Sequence, residues 1–200
     1  MINIVVFLSL TLDGVMQAPG RPDEDTRGGF KYGGWAAPYS EPSIGKTVGE
    51  SMATTGGILL GRRTYQDFYA YWPHRTDNPF TDVLNNTQKY VASMTLKEPL
   101  PWMNSTLLLG DVPRAVADLK MQLEKDVVIL GSGELVRSLM KENLIDRYML
   151  LIHPIVLGSG KRLFPADETI ATLQLVNTET TGKGVIIAVY EPVKSTKRAG

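Results

Sequence analysis

A glycine-bearing turn at residues 131–134, with the sequence GSGE, contains the first residues with a recognisable chemistry. The turn follows an apolar run at residues 127–130, which is short and β-branched and therefore predicts a buried strand. Apolar residues then recur at helical spacing, and Ser132 stands where it would cap that helix. A glycine turn between a strand and a helix N-terminus brings backbone N–H groups close to an anion. The pattern predicts a phosphate cradle at residues 131–134, with a simple tight turn as the alternative.

Small and polar residues also follow several other predicted strands. They are Asp13 and Gly14 after the first strand, residues 61–64 (GRRT) after the second, and Ser93 and Gly110 after two more. In a mainly parallel sheet, ligands bind outside the carboxyl ends of the strands. These strand ends are therefore expected to meet at one binding site.

Few side chains are available for acid–base or metal chemistry. The chain has no cysteine, which excludes a disulfide framework, a thiolate metal site and a cysteine nucleophile, and its two histidines are far apart, so no metal site is expected. Asp13 is the best-placed catalytic acid, with the alternative that it only forms a strand-ending Asp-Gly turn. His153 is expected to be a half-buried structural histidine, and His74 a surface residue.

The elements that must position these residues alternate between strands and helices. Strands are predicted at residues 2–12, 58–60, 90–92, 107–109, 127–130 and 148–157, and helices at 43–54, 64–68, 80–87 and 111–125 and after residue 132. This alternation implies an α/β fold with a mainly parallel central sheet and helices on both faces. Strands at 173–177 and 185–190 imply a closing antiparallel hairpin. Ser43, Thr64 and Asp111 are expected to cap their helices.

No linker divides the chain, so residues 1–192 are expected to form a single domain, followed by a polar tail at 193–200 that frays. Residues 17–42 are rich in glycine, proline, aspartate and aromatic side chains, which in a compact domain is typical of a functional flap. Its aromatic residues, Tyr32, Trp35 and Tyr39, are expected either to close over a substrate or to form a small cluster beneath the loop.

The overall composition narrows the class of function. The 21 basic and 21 acidic residues balance to a formal net charge of zero, so no basic face for nucleic acid is expected. No run is long enough to span a bilayer, and the apolar N-terminus lacks the basic start of a signal peptide. The protein is therefore expected to be cytoplasmic and to act on a small molecule, with neither nucleic acid nor a membrane as partner.

Four motifs, in their order along the chain, resemble the dihydrofolate reductase-like superfamily, and within it the reductase domain of bacterial riboflavin biosynthesis and its uncharacterised relatives. The motifs are SLTLDG at residues 9–14, GRRTY at 61–65, ILGSG at 129–133 and LGSGKRLF at 157–164. The resemblance extends from residue 1 to about residue 192. It implies a dihydrofolate reductase-like three-layer fold and an oxidoreductase that uses NADPH. The second glycine turn, in the fourth motif, is interpreted as structural.

The resemblance also implies positions for the cofactor. Ser9, near Gly14, would face the nicotinamide, and Ser93 would contact the adenine–ribose end. The residues expected to hold the phosphates are Gly61, Arg62, Arg63, Thr64, Gly131, Ser132, Gly133, Glu134 and Leu135. The two adjacent arginines suit the dianionic 2′-phosphate of NADP, which guanidinium groups bind bidentately; the alternative is that they are solvated surface charges. The carboxylate of Glu134 is expected to point away from the phosphates.

The substrate is less closely defined. Folate-reducing members of the superfamily carry a carboxylate at the position that falls close to Gly45, and the nearest acids are Glu41 and Glu50, so folate reduction is not expected. Trp35, Tyr32 and Glu50 are the candidates for a substrate pocket. The leading prediction is an NADPH-dependent reductase of a small heterocyclic or sugar-linked substrate. The alternatives are a 5-amino-6-(5-phosphoribosylamino)uracil reductase-like enzyme of riboflavin biosynthesis, and a non-catalytic NADPH-binding or dimerisation module.

The space beside the nicotinamide discriminates an enzyme from a non-catalytic module. An enzyme needs an open pocket bounded by the first strand and the 43–54 helix, whereas a sensor would fill that pocket with Trp35 or Met52. The resemblance further implies a homodimer, with the apolar run at 149–157 and the C-terminal hairpin as candidate contact surfaces.

Overall fold

The computed structural model describes residues 1–78, 80–164 and 170–193, which are organised around an eight-stranded sheet. The strands are β1 (Ile4–Thr11), β2 (Gly57–Gly61), β3 (Lys89–Ala92), β4 (Ser105–Leu108), β5 (Val127–Leu130), β6 (Arg147–His153), β7 (Leu173–Thr180) and β8 (Ile186–Pro192). The helices are α1 (Pro42–Thr54), α2 (Arg62–Tyr71), α3 (Phe80–Asn86), α4 (Val112–Gln122) and α5 (Gly133–Lys141). Of the predicted tail, residues 194–200 lie outside the described residues.

The sheet has the strand order β4-β3-β2-β5-β1-β6-β8-β7. Strands β1 to β6 run parallel to one another, and β8 runs antiparallel to both β6 and β7. This confirms the predicted α/β fold with a mainly parallel sheet and an antiparallel C-terminal hairpin. Because β1 lies between β5 and β6, its carboxyl end stands in the middle of the sheet edge where ligands bind in folds of this kind.

Alternating residues of β1 pack into apolar clusters on opposite faces of the sheet. Ile4 and Val6 belong to a cluster that includes Val116 of α4 and Leu139 of α5. Val5 belongs to the opposite cluster, which contains residues of β2, β3, β5 and α2. A strand covered on both faces carries apolar residues at nearly every position, which explains the continuous apolar run at the start of the sequence.

The predicted helix caps are only partly confirmed. Asp111 caps α4, and its carboxylate accepts a hydrogen bond from the backbone N–H of Arg114 at 3.1 Å. Ser43 does not cap α1: the N-cap position belongs to Glu41, and the Ser43 hydroxyl donates to the Glu41 carboxylate at 2.8 Å. No helix within the described residues is long and apolar enough to cross a membrane.

A buried lysine closes the C-terminal end of α3. Lys89 has no exposed surface, and its ammonium group donates to the carbonyl oxygens of Leu84 at 2.7 Å and Thr87 at 2.8 Å. The same ammonium lies 4.6 Å from the centre of the Trp102 ring. Burial lowers the pKa of Lys89 to about 8.

The flap at residues 17–42 is anchored by its own apolar cluster, which consists of Val15, Ala18, Phe30 and Trp35. Trp35 is only 5% exposed, and its indole N–H donates to the carbonyl oxygen of Gln17 at 2.7 Å. His153 packs edge-on against the Trp35 ring and is buried, as expected of a structural histidine. Trp35 therefore lies in a cluster beneath the loop, which is the second of the two predicted alternatives.

Candidate functional site

The carboxyl ends of β1, β2, β3 and β5 open into one cavity of about 1440 Å³. Pockets for a single small molecule have volumes of roughly 300–1,000 Å³, so this cavity has room for more than one ligand. The predicted cofactor residues that line it are Ser9, Gly61, Arg62, Arg63, Thr64, Ser93, Gly131, Ser132, Gly133, Glu134 and Leu135. The structure thus brings together residues at the ends of β1, β2, β3 and β5, whereas Gly110, which was expected at the same site, does not line the cavity.

Other predicted site residues lie outside the lining of this cavity. Gly14 forms the turn after β1 with a φ of 77°. Trp35 is buried in the flap cluster, and Tyr32 is 51% exposed and packs edge-on against Phe30. Glu50 lies on the solvent side of α1, where its carboxylate is 3.8 Å from the ammonium of Lys46. The proposed substrate pocket of Tyr32, Trp35 and Glu50 is therefore corrected: none of the three reaches the cavity.

Asp13 also lies outside the cavity and has a structural role. Its carboxylate accepts hydrogen bonds from the Thr11 hydroxyl at 2.6 Å and from the backbone N–H groups of Leu157 and Gly158 at 3.2 and 3.0 Å. These bonds, that of Thr11 foremost, lower the pKa of Asp13 to about 2. Asp13 therefore forms the strand-ending turn of the second alternative, and a carboxyl group that stays ionised at neutral pH is unsuited to donate a proton.

The turns after β2 and β5 are joined by hydrogen bonds. The Ser132 hydroxyl accepts from the backbone N–H of Gly61 at 2.8 Å and donates to the Thr64 hydroxyl at 2.8 Å. Ser132 therefore occupies the N-cap position of α5 without capping it through its side chain, and Thr64 lies within α2 rather than at its cap. Gly131 has a φ of 64°, and a Cβ there would come within 3.0 Å of a Thr64 methyl group. The N-termini of α2 and α5 are held side by side at the cavity.

The guanidinium groups of Arg62 and Arg63 lie beside these two turns. Arg62 donates to the Thr95 hydroxyl at 2.7 Å, and Arg63 lies 3.3 Å from the Glu134 carboxylate. The Arg63–Glu134 pair is exposed and so contributes little free energy, which leaves Arg63 able to exchange its partner for a ligand phosphate. We call Gly61–Thr64 and Gly131–Leu135 together the cradle lobe. Its positive helix ends and guanidinium groups fit a ligand that carries phosphates.

Part of the cavity lining is apolar, and the sequence predicts an open pocket beside the first strand and the 43–54 helix without identifying the aromatic residues that line it. This part consists of Phe7 of β1, Gly45, Val48 and Gly49 of α1, Phe68 and Trp72 at α2, and Phe80 of α3, which we call the apolar lobe. A Cβ built on Gly45 or Gly49 would meet no atom within 4 Å, so the lobe is open space beside α1. Met52 is buried in the neighbouring core and does not fill it. The spacing of the two glycines, four residues apart in a predicted helix, is a signal of this opening in the sequence.

A cluster of charged residues borders the cavity where the flap meets α2. Asp67 of α2 is 2.6 Å from the guanidinium of Arg21, which also lies 4.1 Å from the centre of the Tyr71 ring. Asp23 pairs with Arg21 at 3.5 Å, and Glu24 accepts from the Arg21 backbone N–H at 3.1 Å. Burial raises the pKa of both Asp67 and Glu24. These contacts hold the flap against α2, and we call the four charged residues the acidic rim.

No group of three or more histidine, aspartate and glutamate residues within the described parts of the chain is arranged to hold a metal ion. Polar and charged groups outside the cradle lobe and the acidic rim also line the cavity, among them Arg27, Arg137 and Lys161.

Comparison with known proteins places this architecture among reductase-type folds. A family model described as the RibD C-terminal domain matches residues 3–187. The uncharacterised protein YyaP of Bacillus subtilis (strain 168) is 30% identical over 195 residues, which cover 94% of each chain. A putative riboflavin biosynthesis protein from Shewanella sp. PV-4 superposes with a TM-score of 0.74 at 23% identity, over 96% of this chain and 100% of the other. A dihydrofolate reductase from Enterococcus faecalis complexed with NADP(H) superposes with a TM-score of 0.62 at 14% identity, over 96% and 97%.

Proposed function

The chain belongs to the RibD C-terminal domain family, and from that membership we propose that it is an NADPH-dependent reductase of a small organic substrate. The observation that carries the proposal is the division of one cavity into a cradle lobe and an open apolar lobe. The cradle lobe suits the phosphates of a dinucleotide. The apolar lobe leaves room for a second molecule beside it.

The cradle lobe would hold the cofactor through its backbone and its two arginines. Gly61 and Gly131 place no side chain of their own at the turns before α2 and α5, whereas the space beside Gly133 is taken by the Met16 side chain. A helix N-terminus attracts anions, and two lie next to each other here. Arg62 and Arg63 add positive charge that matches a 2′-phosphate, which favours NADPH over NADH.

When bound, NADPH supplies a hydride for an electrophilic carbon of a C=N or C=O group. The protein then has to orient the substrate and exclude water, which an apolar lining achieves. β1 contributes Phe7 to the apolar lobe and Ser9 to the same cavity, so one strand borders the space where the two ligands would meet. The open space beside Gly45 and Gly49 supports an enzyme over a non-catalytic module, which would have a filled pocket.

The test compares binding of NADPH and NADH by calorimetry and by the shift in melting temperature. The wild-type protein is expected to bind NADPH at least about tenfold more tightly than NADH, because charge-assisted bonds are worth roughly 1.5–3 kcal/mol and part of that is lost to solvent. The Arg62→Ala/Arg63→Ala double variant is expected to lose about 10- to 100-fold in NADPH affinity with little change for NADH. Arg114→Ala, which removes an exposed arginine of α4 outside the cavity, is the matched control.

Two results would count against the proposal. If neither nucleotide raises the melting temperature of the wild-type protein, the cofactor assignment fails. If the double variant keeps the preference for NADPH, the arginines do not bind the 2′-phosphate.

A homodimer in the cytoplasm remains part of the proposal. β7 is an edge strand whose residues are mostly exposed, including Leu175 and Val176, which are 49% and 46% exposed. Such an apolar edge is suited to contact with a second copy. Light scattering at micromolar concentration measures the mass in solution, and a monomeric mass would contradict the dimer.

A further inference from the structure

Glu134 is the one acidic residue of the cradle lobe, where it stands beside two arginines. It belongs to the first turn of α5, and its side chain lines the cavity. Its carboxylate lies 3.3 Å from the guanidinium of Arg63. A carboxylate in the first turn is also attracted by the positive end of the helix dipole. Glu134 therefore occupies the surroundings that would attract an anionic ligand of the cradle lobe.

The two arginines of the cradle lobe have different partners. Arg62 donates to a neutral group, the Thr95 hydroxyl, at 2.7 Å. Arg63 pairs with Glu134, so its charge is balanced by a carboxylate of the protein itself. A phosphate can approach Arg62 without displacing another anion, whereas at Arg63 it has to compete with Glu134.

The contact between Arg63 and Glu134 is weak enough for a ligand to replace it. The two side chains are 50% and 70% exposed. Exposed ion pairs contribute little free energy, because both charges remain hydrated and the side chains lose freedom when they pair. A phosphate group accepts two parallel hydrogen bonds from a guanidinium, which makes it the stronger partner for Arg63.

Glu134 keeps cationic neighbours after such an exchange. The hydrogen bond from Arg27 to Asp25 raises the pKa of the Arg27 guanidinium, and the negative charge of Glu134 adds to that shift. Arg137 lies three residues further along α5, on the same side of the helix, and also lines the cavity. The Glu134 carboxylate would therefore stay close to a phosphate bound at Arg63 and would repel it.

We propose that Glu134 determines how tightly the cradle lobe binds a phosphate group, because its carboxylate is an internal competitor for Arg63. The inference rests on the reductase function proposed above, since it assigns a role to a residue of the same cofactor site. A reductase that uses a dinucleotide as a co-substrate has to release the oxidised form after each turnover. By weakening the hold on the phosphates, Glu134 shortens the time for which the product nucleotide occupies the cavity.

Two contributions set the size of this effect. The attraction between Arg63 and Glu134, which the ligand has to replace, corresponds to about threefold in an equilibrium constant for an exposed pair. Repulsion between two unit charges about 6 Å apart in water corresponds to about another threefold. Removing the charge of Glu134 should therefore strengthen phosphate binding about tenfold, mostly by slowing dissociation.

Calorimetry on the whole chain with NADPH, NADH and inorganic pyrophosphate measures the effect. Glu134→Gln keeps the size of the side chain and removes its charge, so it should bind NADPH about tenfold more tightly than the wild type. Glu142→Gln, at the other end of α5 and outside the cavity lining, is the matched control and should stay within about twofold of the wild type. At about 0.5 M NaCl the gain should fall below about threefold, because salt screens exposed charges.

The same substitution in an Arg63→Ala background tests the competition directly. Without the guanidinium only the repulsion remains, so Glu134→Gln should strengthen binding about threefold there rather than about tenfold. Equal gains in both backgrounds would overturn the inference, since the carboxylate would then act independently of Arg63. A Glu134→Gln variant that binds every probe as the wild type does, or more weakly, would overturn it as well.

The three probes separate this inference from the cofactor proposal. A gain confined to NADPH supports the inference and assigns the competition to the 2′-phosphate, whereas a gain shared with NADH supports it for the bridging phosphates that both nucleotides carry. If neither nucleotide binds the wild-type protein, the reductase proposal fails and pyrophosphate alone decides the inference. Binding of pyrophosphate that is about tenfold tighter in Glu134→Gln then supports it, and equal or undetectable binding to both proteins overturns it.

Discussion

Replacing Ser132 with alanine tests whether the cradle lobe depends on one hydroxyl group. That hydroxyl accepts the backbone N–H of Gly61 and donates to the Thr64 hydroxyl, both at 2.8 Å. Alanine leaves the Gly61 N–H without its partner at a partly buried position, which costs roughly 1–3 kcal/mol. Loss of the bond to Thr64 adds about 0.5–1.5 kcal/mol. We expect the free energy of unfolding to fall by about 2–3 kcal/mol in the absence of any nucleotide.

Two further variants separate the hydrogen bonds from backbone strain. Ser132 has a φ of 61°, which costs a non-glycine residue roughly 1–2 kcal/mol. Ser132→Gly loses both hydrogen bonds but relieves this strain, so it is expected to be about 1 kcal/mol more stable than Ser132→Ala. Thr64→Val keeps the hydrogen bond from the Gly61 N–H to the Ser132 hydroxyl and removes only the bond from that hydroxyl to residue 64. The free energy of unfolding is therefore expected to fall by about 1 kcal/mol.

Urea unfolding followed by tryptophan fluorescence gives these free energies by linear extrapolation. The reasoning is refuted if Ser132→Ala lies within about 0.5 kcal/mol of the wild type, which is less than any one of the costs above. It is also refuted if Ser132→Gly is less stable than Ser132→Ala, since the left-handed backbone would then carry no strain.

Three further predictions concern residues outside the cavity. Asp13→Asn is expected to lower the free energy of unfolding at pH 7 by about 1–2 kcal/mol, because the folded-state pKa of about 2 lies below the ordinary 3.8; urea titrations should show the difference from wild type closing as pH falls from 4 to 2. The pKa of Lys89 is lowered to about 8 in the folded protein, so the unfolded chain binds more protons than the folded one between pH 8 and 10.5. The free energy of unfolding of the wild type should therefore rise by up to about 2 kcal/mol from pH 8 to 9.5. A Lys89→Met variant that lacks this rise would confirm the assignment. Gly160→Ala should lower the melting temperature by about 5–10 °C in calorimetry, because residue 160 has a φ of 116° and the new Cβ would lie 2.7 Å from apolar side-chain atoms. Gly14→Ala is the control: its new Cβ meets open space, so the melting temperature should fall by less than half as much.

The fold could be predicted because its signals are local. Short β-branched runs that end in glycine mark β2 and β5, and the periodic apolar stripe after Asp111 marks α4. The cap predictions for Ser43 and Thr64 failed because a hydroxyl group near a helix start has several possible partners, and tertiary contacts decide among them.

The candidate site could be predicted only where a short motif defines it. The cradle lobe consists of two turns whose glycines are visible in the sequence. The apolar lobe consists of residues such as Phe68 and Trp72, which a sequence cannot distinguish from ordinary core residues. Asp67 and Arg21 meet across 46 positions of the chain, so their pairing depends on how the flap packs against α2. The sequence left two alternatives open for Trp35 for the same reason, since burial in a separate cluster is a tertiary outcome.

The position of β1 in the sheet has a consequence for the order in which the protein folds. β1 pairs with β5 and β6, which follow it far along the chain, and the contact between Asn3 and Asp126 spans 123 positions. Such non-local pairing slows folding, because a long loop must close before any contact forms. During translation, the apolar β1 remains without its neighbours until residues 127–153 have left the ribosome. The cavity at the carboxyl ends of the strands is therefore one of the last parts of the protein to form, and a chain that stops after α4 leaves β1 as an unpaired, aggregation-prone strand.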